Sequence, residues 1–351
     1  MPDDGLDSLA FSLQLYESAP RRLRFDARTL AGARAWQGKL RRRLVQLLGG
    51  FPRRKCDLAP ETLDRRQMNG YTRYKVAFTS RPGLRVIGYF LLPDGFRAPG
   101  PAMLCLPGHG RGVDDIIGID DNGNQRAAPE GHPGGYQNDF ALQAAANGFA
   151  ALAIDQLGFG SRRDARAREG GPGNSSCQPA AGSALLLGQT MIGWRVYDAM
   201  RAVDYLLTRP EVDGGRIGCV GISGGGTTTL HAAAVDTRIA LAFVSGYFNT
   251  YRDSIFSISH CMDNYIPGIL EFAEMPDVAG LIAPRPFFAE SGTKDGIFPV
   301  AATRRAFAEL SRIYAVFGAE DRLGLHVFAG EHQFNGKRGW RFACKHLALT
   351  T

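Results

Sequence analysis

A serine stands among glycines in Gly221-Ile222-Ser223-Gly224-Gly225, after the run Arg216-Ile217-Gly218-Cys219-Val220 and before the helix-like stretch Thr227 to Val235. That order predicts a strand, a sharp turn and a helix, with the serine at the apex. Glycines flank it because the turn is too tight for bulky neighbours. The hydroxyl is pushed out above the edge of a sheet, and the next backbone N–H points at the same spot. The chemistry on offer is attack by an activated hydroxyl on an acyl carbon. The pentapeptide by itself is a weak signal in a chain with 44 glycines among 351 residues, although it occurs once. A phosphate-binding turn is the bland alternative, but no Gly-Lys-Ser/Thr follows and the glycines are not in G-x-G-x-x-G register.

A serine hydroxyl is a poor nucleophile unless a base takes its proton and an acid holds that base in the right tautomer. Arg285 to Ser291 reads as a strand running into Gly292-Thr293-Lys294-Asp295-Gly296, which places Asp295 in a loop just beyond it. Leu323 to Phe328 alternates as a short strand and leads into Gly330-Glu331-His332-Gln333-Phe334. Asp295 and His332 are therefore the expected acid and base, with Asp263, Asp277 and Glu290 as other acids. The six remaining histidines are 109, 132, 231, 260, 326 and 346, and their positions suit a base less well. An oxyanion needs two backbone donors. Gly224 supplies one. The loop Pro107-Gly108-His109-Gly110-Arg111-Gly112, after the buried-strand pattern 101–106, points to the N–H of Arg111 for the other, with Gly110 beside it.

These residues need a frame. Leu30 to Leu48 has helical spacing of apolar residues and stops at Gly49-Gly50 with Pro52 beyond, so residues 1–68 read as an N-terminal helical extension. Strands are expected at Tyr71–Ser80 and Arg85–Leu92, around Arg81-Pro82-Gly83, and at Ala150–Ile154, Arg216–Val220 and Leu241–Ser245. Helices are expected at Gln137–Asn147, Gln189–Leu207, Gly225–Val235 and Val300–Phe317. Alternation of the two implies an α/β domain over 69–351, with a mostly parallel sheet of about eight strands and helices on both faces. Segments 112–135, 159–188 and 246–283 exceed ordinary loop lengths and leave strand ends on the side of Ser223, so they are candidate pocket walls and lids. His109, Trp194, Tyr247, His260, Phe298 and Phe334 are candidate pocket residues, with core packing the alternative for each aromatic.

Composition excludes several classes. The net charge is +7, but the arginine pairs are dispersed and accompany no nucleic-acid motif, so solvated surface is the expectation. No apolar run is long enough to span a membrane. The six cysteines at 56, 105, 177, 219, 261 and 344 form no C-x-x-C pair. Neither H-E-x-x-H nor clustered ligand spacing is present, so no cofactor and no metal is expected. Without a basic and apolar leader pattern at the start, the expected location is cytoplasmic.

PGHGRG, the loop Asp155-Gln156-Leu157-Gly158-Phe159-Gly160, the Gly193-Trp194 and Arg201-Ala202-Val203-Asp204-Tyr205-Leu206 stretches, RIGCVGISGGG, SGTKDGIFP and GEHQF together resemble the α/β-hydrolase superfamily. Within it the chain is similar to the dienelactone hydrolase-like and acetyl xylan esterase-like group, over roughly residues 70 to 348. Dienelactone hydrolases proper use cysteine where this chain has Ser223. The resemblance implies Ser–Asp–His chain order, an acyl-enzyme, a small-molecule carboxylic ester substrate with a short acyl group, and no cofactor. The same triad serves thioesterases and peptidases. A catalytically silent binding protein of this fold is the rival from another class. The N-terminal helix offers a route to a homodimer.

Overall fold

Alternate side chains of the central strands enter two different hydrophobic cores, which is why the sheet reads as continuous apolar runs. The computed structural model describes residues 6–120, 122–126 and 135–347, so His132 and most of the second half of segment 112–135 lie outside the described residues. Nine strands form one sheet: β1 (Glu61–Gln67), β2 (Tyr71–Arg81), β3 (Leu84–Pro93), β4 (Gly100–Leu106), β5 (Ala150–Ile154), β6 (Val212–Ile222), β7 (Leu241–Ser245), β8 (Phe287–Gly292) and β9 (Leu323–Phe328). Their spatial order is β1-β2-β3-β5-β4-β6-β7-β8-β9. The pairs from β1 through β3 to β5 are antiparallel, and those from β5 across to β9 are parallel. Every residue of β4, β5 and β7 is buried. Ala102, Leu104 and Leu106 face one core while Met103 and Cys105 face the other, and β7 divides Ala242 and Val244 from Leu241 and Phe243 in the same way.

Helices cover both faces. In chain order they are α1 (Ser8–Ser18), α2 (Leu30–Leu47), α3 (Phe140–Ala146), α4 (Ala165–Glu169), α5 (Cys177–Leu186), α6 (Met191–Leu206), α7 (Gly224–Val235), α8 (Met275–Gly280), α9 (Val300–Val316) and α10 (Lys337–His346). Residues of α2, α6, α7, α8 and α9 build the larger core, and those of α3 and α10 the smaller one. None of the described helices is long and apolar enough to cross a membrane.

Two sequence expectations change. The chain before residue 69 is not all helical, because β1 pairs along β2 at the sheet edge. Its residues, Glu-Thr-Leu-Asp-Arg-Arg-Gln, are nearly all exposed and carry no apolar alternation, so the ladder rather than burial makes the strand. The helix expected from Gln137 starts at Phe140 instead, because Asn138 and Asp139 take left-handed backbone with φ of 52° and 46°.

The two N-terminal helices differ in what they bury. On α2, Trp36, Leu40 and Leu44 recur at four-residue spacing and enter the main core. Gln37 and Arg41 on the same helix donate to the carbonyls of Gly280, Ala283, Ala234 and Leu281. By contrast, α1 leaves Leu9, Phe11 and Leu15 exposed. Leu44→Ala is expected to lower stability by about 2–5 kcal/mol. Phe11→Ala should change it by less than about 0.5 kcal/mol. Urea denaturation of both variants checks the contrast.

Glu290, buried at the end of β8, accepts hydrogen bonds from Ser245 Oγ (2.8 Å) and from the N–H groups of Asn335 and Gly336 (2.9 and 3.0 Å). Burial outweighs these donors and raises its carboxyl from 4.5 to about 7. A carboxyl raised on folding is protonated more readily in the native state, so its contribution is full below pH 4.5 and is lost as pH rises through about 7. Stability should therefore fall across that interval, and Glu290→Gln should remove part of the slope in denaturant titrations at stepped pH.

Candidate active site

At the apex between β6 and α7, Ser223 has φ 55° and ψ −124°. A non-glycine residue held there costs about 1–3 kcal/mol, which surrounding contacts must offset. The Ser223 N–H donates to Ser245 O on β7 (3.1 Å), and the Thr227 N–H donates to Ser223 O (2.8 Å). The glycines around it are needed for close approach. A Cβ on Gly225 would lie 1.9 Å from Leu106 O, and one on Gly221 would lie 2.4 Å from the Gly225 backbone. The helix start is thus pressed directly onto the C-terminal ends of β4 and β6.

His332 stands on the loop after β9, where its Nδ1 is 2.8 Å from Asp295 Oδ2. The other oxygen of Asp295 accepts the N–H groups of Ile297 (2.9 Å) and Phe298 (3.0 Å), which fixes the carboxylate. His332 Nε2 is buried and has no hydrogen-bond partner among the described residues. The ring lies against Gly246, where an added Cβ would be 3.1 Å from Cε1, and Gly246 directly follows the residue whose carbonyl holds the Ser223 N–H. Of the four carboxylates the sequence offered, Asp295 is the one bonded to His332. Asp263 pairs with Arg195, Asp277 caps α8, and Glu290 fastens the backbone at Asn335 and Gly336.

The loop after β4 lies over the apex, since a Cβ on Gly108 would be 3.1 Å from Ser223 Cβ. Its donors differ from the sequence expectation. The Arg111 N–H is given to Asp115 Oδ2 (2.8 Å), and the guanidinium binds Asp115 Oδ1 and Ile119 O, so Arg111 is turned away from an oxyanion role. The Gly108 N–H donates to Gln137 Oε1 (2.7 Å). The amides of His109 and Gly110 are left without an acceptor among the described residues. Gly224, as the first residue of α7, has an N–H with no acceptor inside the helix.

The candidate pocket residues separate into two groups. Phe298 stacks on His332 with centroids 5.7 Å apart, and Tyr247 and His260 pack on Phe298 at 5.4 and 5.7 Å. His109 reaches Gly224, with Nδ1 3.5 Å from where a Cβ would stand. Phe334, in contrast, is a core residue packed on Phe140 and Phe243. Trp194 faces the outer side of segment 159–188, beside Arg163 and Pro179, with its indole N–H on Gln189. Sequence reading missed Tyr136, whose ring stacks on His332 at 5.6 Å and whose hydroxyl donates to His109 O (2.5 Å). Only its place in a glycine-rich loop marked it.

A second group was also not foreseen. His109, Cys177, Cys261 and Asp263 come from three separate segments of the chain and bring one donor atom each within 4.8 Å of one another. Arg195 on α6, wholly buried, donates to Asp263 and to Cys177 Sγ (3.1 Å). No local spacing links residues so far apart in the chain.

The profile of the abhydrolase family matches residues 17–338. YtaP of Bacillus subtilis (strain 168), named provisionally as a hydrolase, is 28% identical over 292 residues, covering 80% of this chain and 89% of that protein. A Bacteroides fragilis NCTC 9343 structure, described provisionally as an acetyl xylan esterase, superposes with a TM-score of 0.76 at 21% identity, covering 92% of this chain and 82% of that one. The glucuronoyl esterase from Solibacter usitatus gives 0.67 at 18% identity, covering 90% and 93%. With nine strands in this order and a serine at the elbow, the chain has the α/β-hydrolase fold and belongs to the abhydrolase family.

Proposed function

We propose that the protein is a serine hydrolase of carboxylic esters that works through an acyl-enzyme on Ser223. The observation that carries this is a strained apex serine, bonded through its N–H to Ser245, next to Gly246 and the His332 ring packed on it, whose Nδ1 is held by Asp295 and whose Nε2 is buried and unpaired. Ser223 Oγ attacks the ester carbonyl while His332 Nε2 takes its proton, and the imidazolium is stabilised by Asp295. The Gly224 N–H and a free amide of the His109–Gly110 stretch hold the oxyanion. Collapse breaks the bond to the alcohol oxygen, which receives the proton from His332. Water, deprotonated by His332, then attacks the acyl carbon, and loss of Ser223 Oγ releases the acid. Tyr247, Phe298, His109 and His260 crowd the elbow, which favours a short acyl group such as acetyl. The related structures described as acetyl xylan and glucuronoyl esterases support a sugar-borne ester as the substrate class.

A fluorophosphonate probe should label Ser223 stoichiometrically, located by peptide mass spectrometry, with fluoride displaced by Oγ. Ser223→Ala should abolish labelling and lower kcat on p-nitrophenyl acetate by at least about 1,000-fold. Retention of a tenth of the wild-type rate would remove Ser223 from the mechanism. Asp295→Asn should lower kcat by about 1,000- to 10,000-fold with little change in KM, because it leaves the ring in place with the wrong tautomer. Matched thioester and amide substrates, run alongside, separate an esterase from the thioesterase and peptidase that use the same triad.

A further inference from the structure

We propose that His109, Cys177, Cys261 and Asp263 form a closed four-ligand site for a zinc-class divalent cation, which ties the loop over Ser223 to segments 159–188 and 246–283. His109 belongs to the loop after β4, Cys177 opens α5, and Cys261 and Asp263 lie in the segment between β7 and α8. Asp263 Oδ2 is 3.6 Å from Cys177 Sγ and 3.7 Å from His109 Nε2. Ligands about 2.0–2.3 Å from a tetrahedral ion stand about 3.3–3.8 Å from each other, so these two separations already match its edges. All four donor atoms lie within 4.8 Å of one another, so binding the ion requires the wider separations to shorten by about 1 Å at most.

Two thiolates, an imidazole and a carboxylate suit zinc rather than magnesium or calcium, which prefer oxygen. His109 Nε2 is buried and has no hydrogen-bond partner among the described residues, so it is an unused donor aimed into the group. Arg195 fits as an outer partner. Its Nε and Nη2 are held by Leu157 O (2.9 and 2.7 Å), and it donates to two of the four donor atoms themselves, Cys177 Sγ and Asp263 Oδ2. Two thiolates and one carboxylate against a divalent ion leave one negative charge, which the guanidinium balances. Asp263 Oδ1 is steadied by Asn264 Nδ2 at 2.8 Å. With four protein ligands no position is left open for substrate, so the ion holds structure and takes no part in the ester chemistry.

The test reads the metal directly and does not depend on the esterase assignment. Full-length protein, stripped with a chelator and kept reduced, is titrated with Co(II) under argon. One equivalent should bind with a near-ultraviolet thiolate-to-cobalt charge-transfer band and intense visible bands of a tetrahedral ion, both bleached by Zn(II). Cys177→Ser and Cys261→Ser should each diminish the charge-transfer band and weaken affinity by about 10- to 100-fold, while Cys344→Ser changes neither. If a cysteine variant does not fold, the wild-type titration still decides. Folded, reduced wild-type protein that shows no charge-transfer band overturns the proposal. So does a protein whose Cys177 and Cys261 are isolated as a disulfide and which, once reduced, still binds no cobalt.

Discussion

Close approach of backbone to backbone at the elbow governs the rest of the structure. The start of α7 touches the carbonyl end of β4, a contact that leaves no space for a Cβ at Gly225 or Gly221. That contact is possible because β4 and β6 are neighbours at the point where the chain, having laid β5 on one side of β4, continues on the other. Open α/β sheets bind ligands at such a reversal, since the loops leaving adjacent strands diverge there. Ser223 stands at that reversal, and its unfavourable φ is maintained by the hydrogen bond to β7 and by the first turn of α7. The strain therefore depends on the core: loosening either face of the sheet would relax the turn.

Asp295 and His332 are positioned by the same parallel register. β8 and β9 pair in phase, so the loops carrying Asp295 and His332 leave the sheet side by side. The Thr293 N–H donates to Phe328 O and the Lys294 N–H to Gly330 O, which ties one loop to the other. A Cβ on Gly292 would lie 2.2 Å from Glu331 O, so the last residue of β8 must be glycine for the histidine loop to pass. The Asp295–His332 hydrogen bond is the end product of these backbone contacts, with side-chain chemistry resting on ladder geometry.

The legible parts of the sequence were those with a local signature. Ser223, Asp295 and His332 each follow a short apolar run and sit among glycines, a pattern that strand, turn and exposed loop impose on a few consecutive residues. β1 has no such pattern because an exposed edge strand buries nothing. Arg111 could not be resolved from Gly110 or His109, because which amide is free depends on Asp115, four residues on, curling back to accept one of them. Phe298 and Phe334 illustrate the same limit. Both are aromatic and both sit near Asp295 or His332 in sequence, yet one stacks on His332 and the other enters the core.

The charges buried beside the elbow have a logic of their own. Arg195 and Asp263 are almost wholly withdrawn from water, and an isolated pair of that kind gains little over apolar packing. Such a pair is retained more readily where it organises other groups. Here the guanidinium joins Leu157 O, in the loop after β5, and Cys177 on one insertion to Asp263 on the other, and a hydrogen bond from Cys261 together with Arg195 draws the Cys177 thiol below its ordinary range. Asn264, next to Asp263, accepts a hydrogen bond from Thr227, one turn into α7 from Ser223. Segment 246–283 is consequently coupled to the elbow by a hydrogen bond at Thr227, with His109 Nε2 3.7 Å from Asp263 beside it. Segment 246–283, anchored in this way, cannot shift without disturbing the first turn of α7, which follows Ser223, so the insertion and the elbow belong to one continuous network.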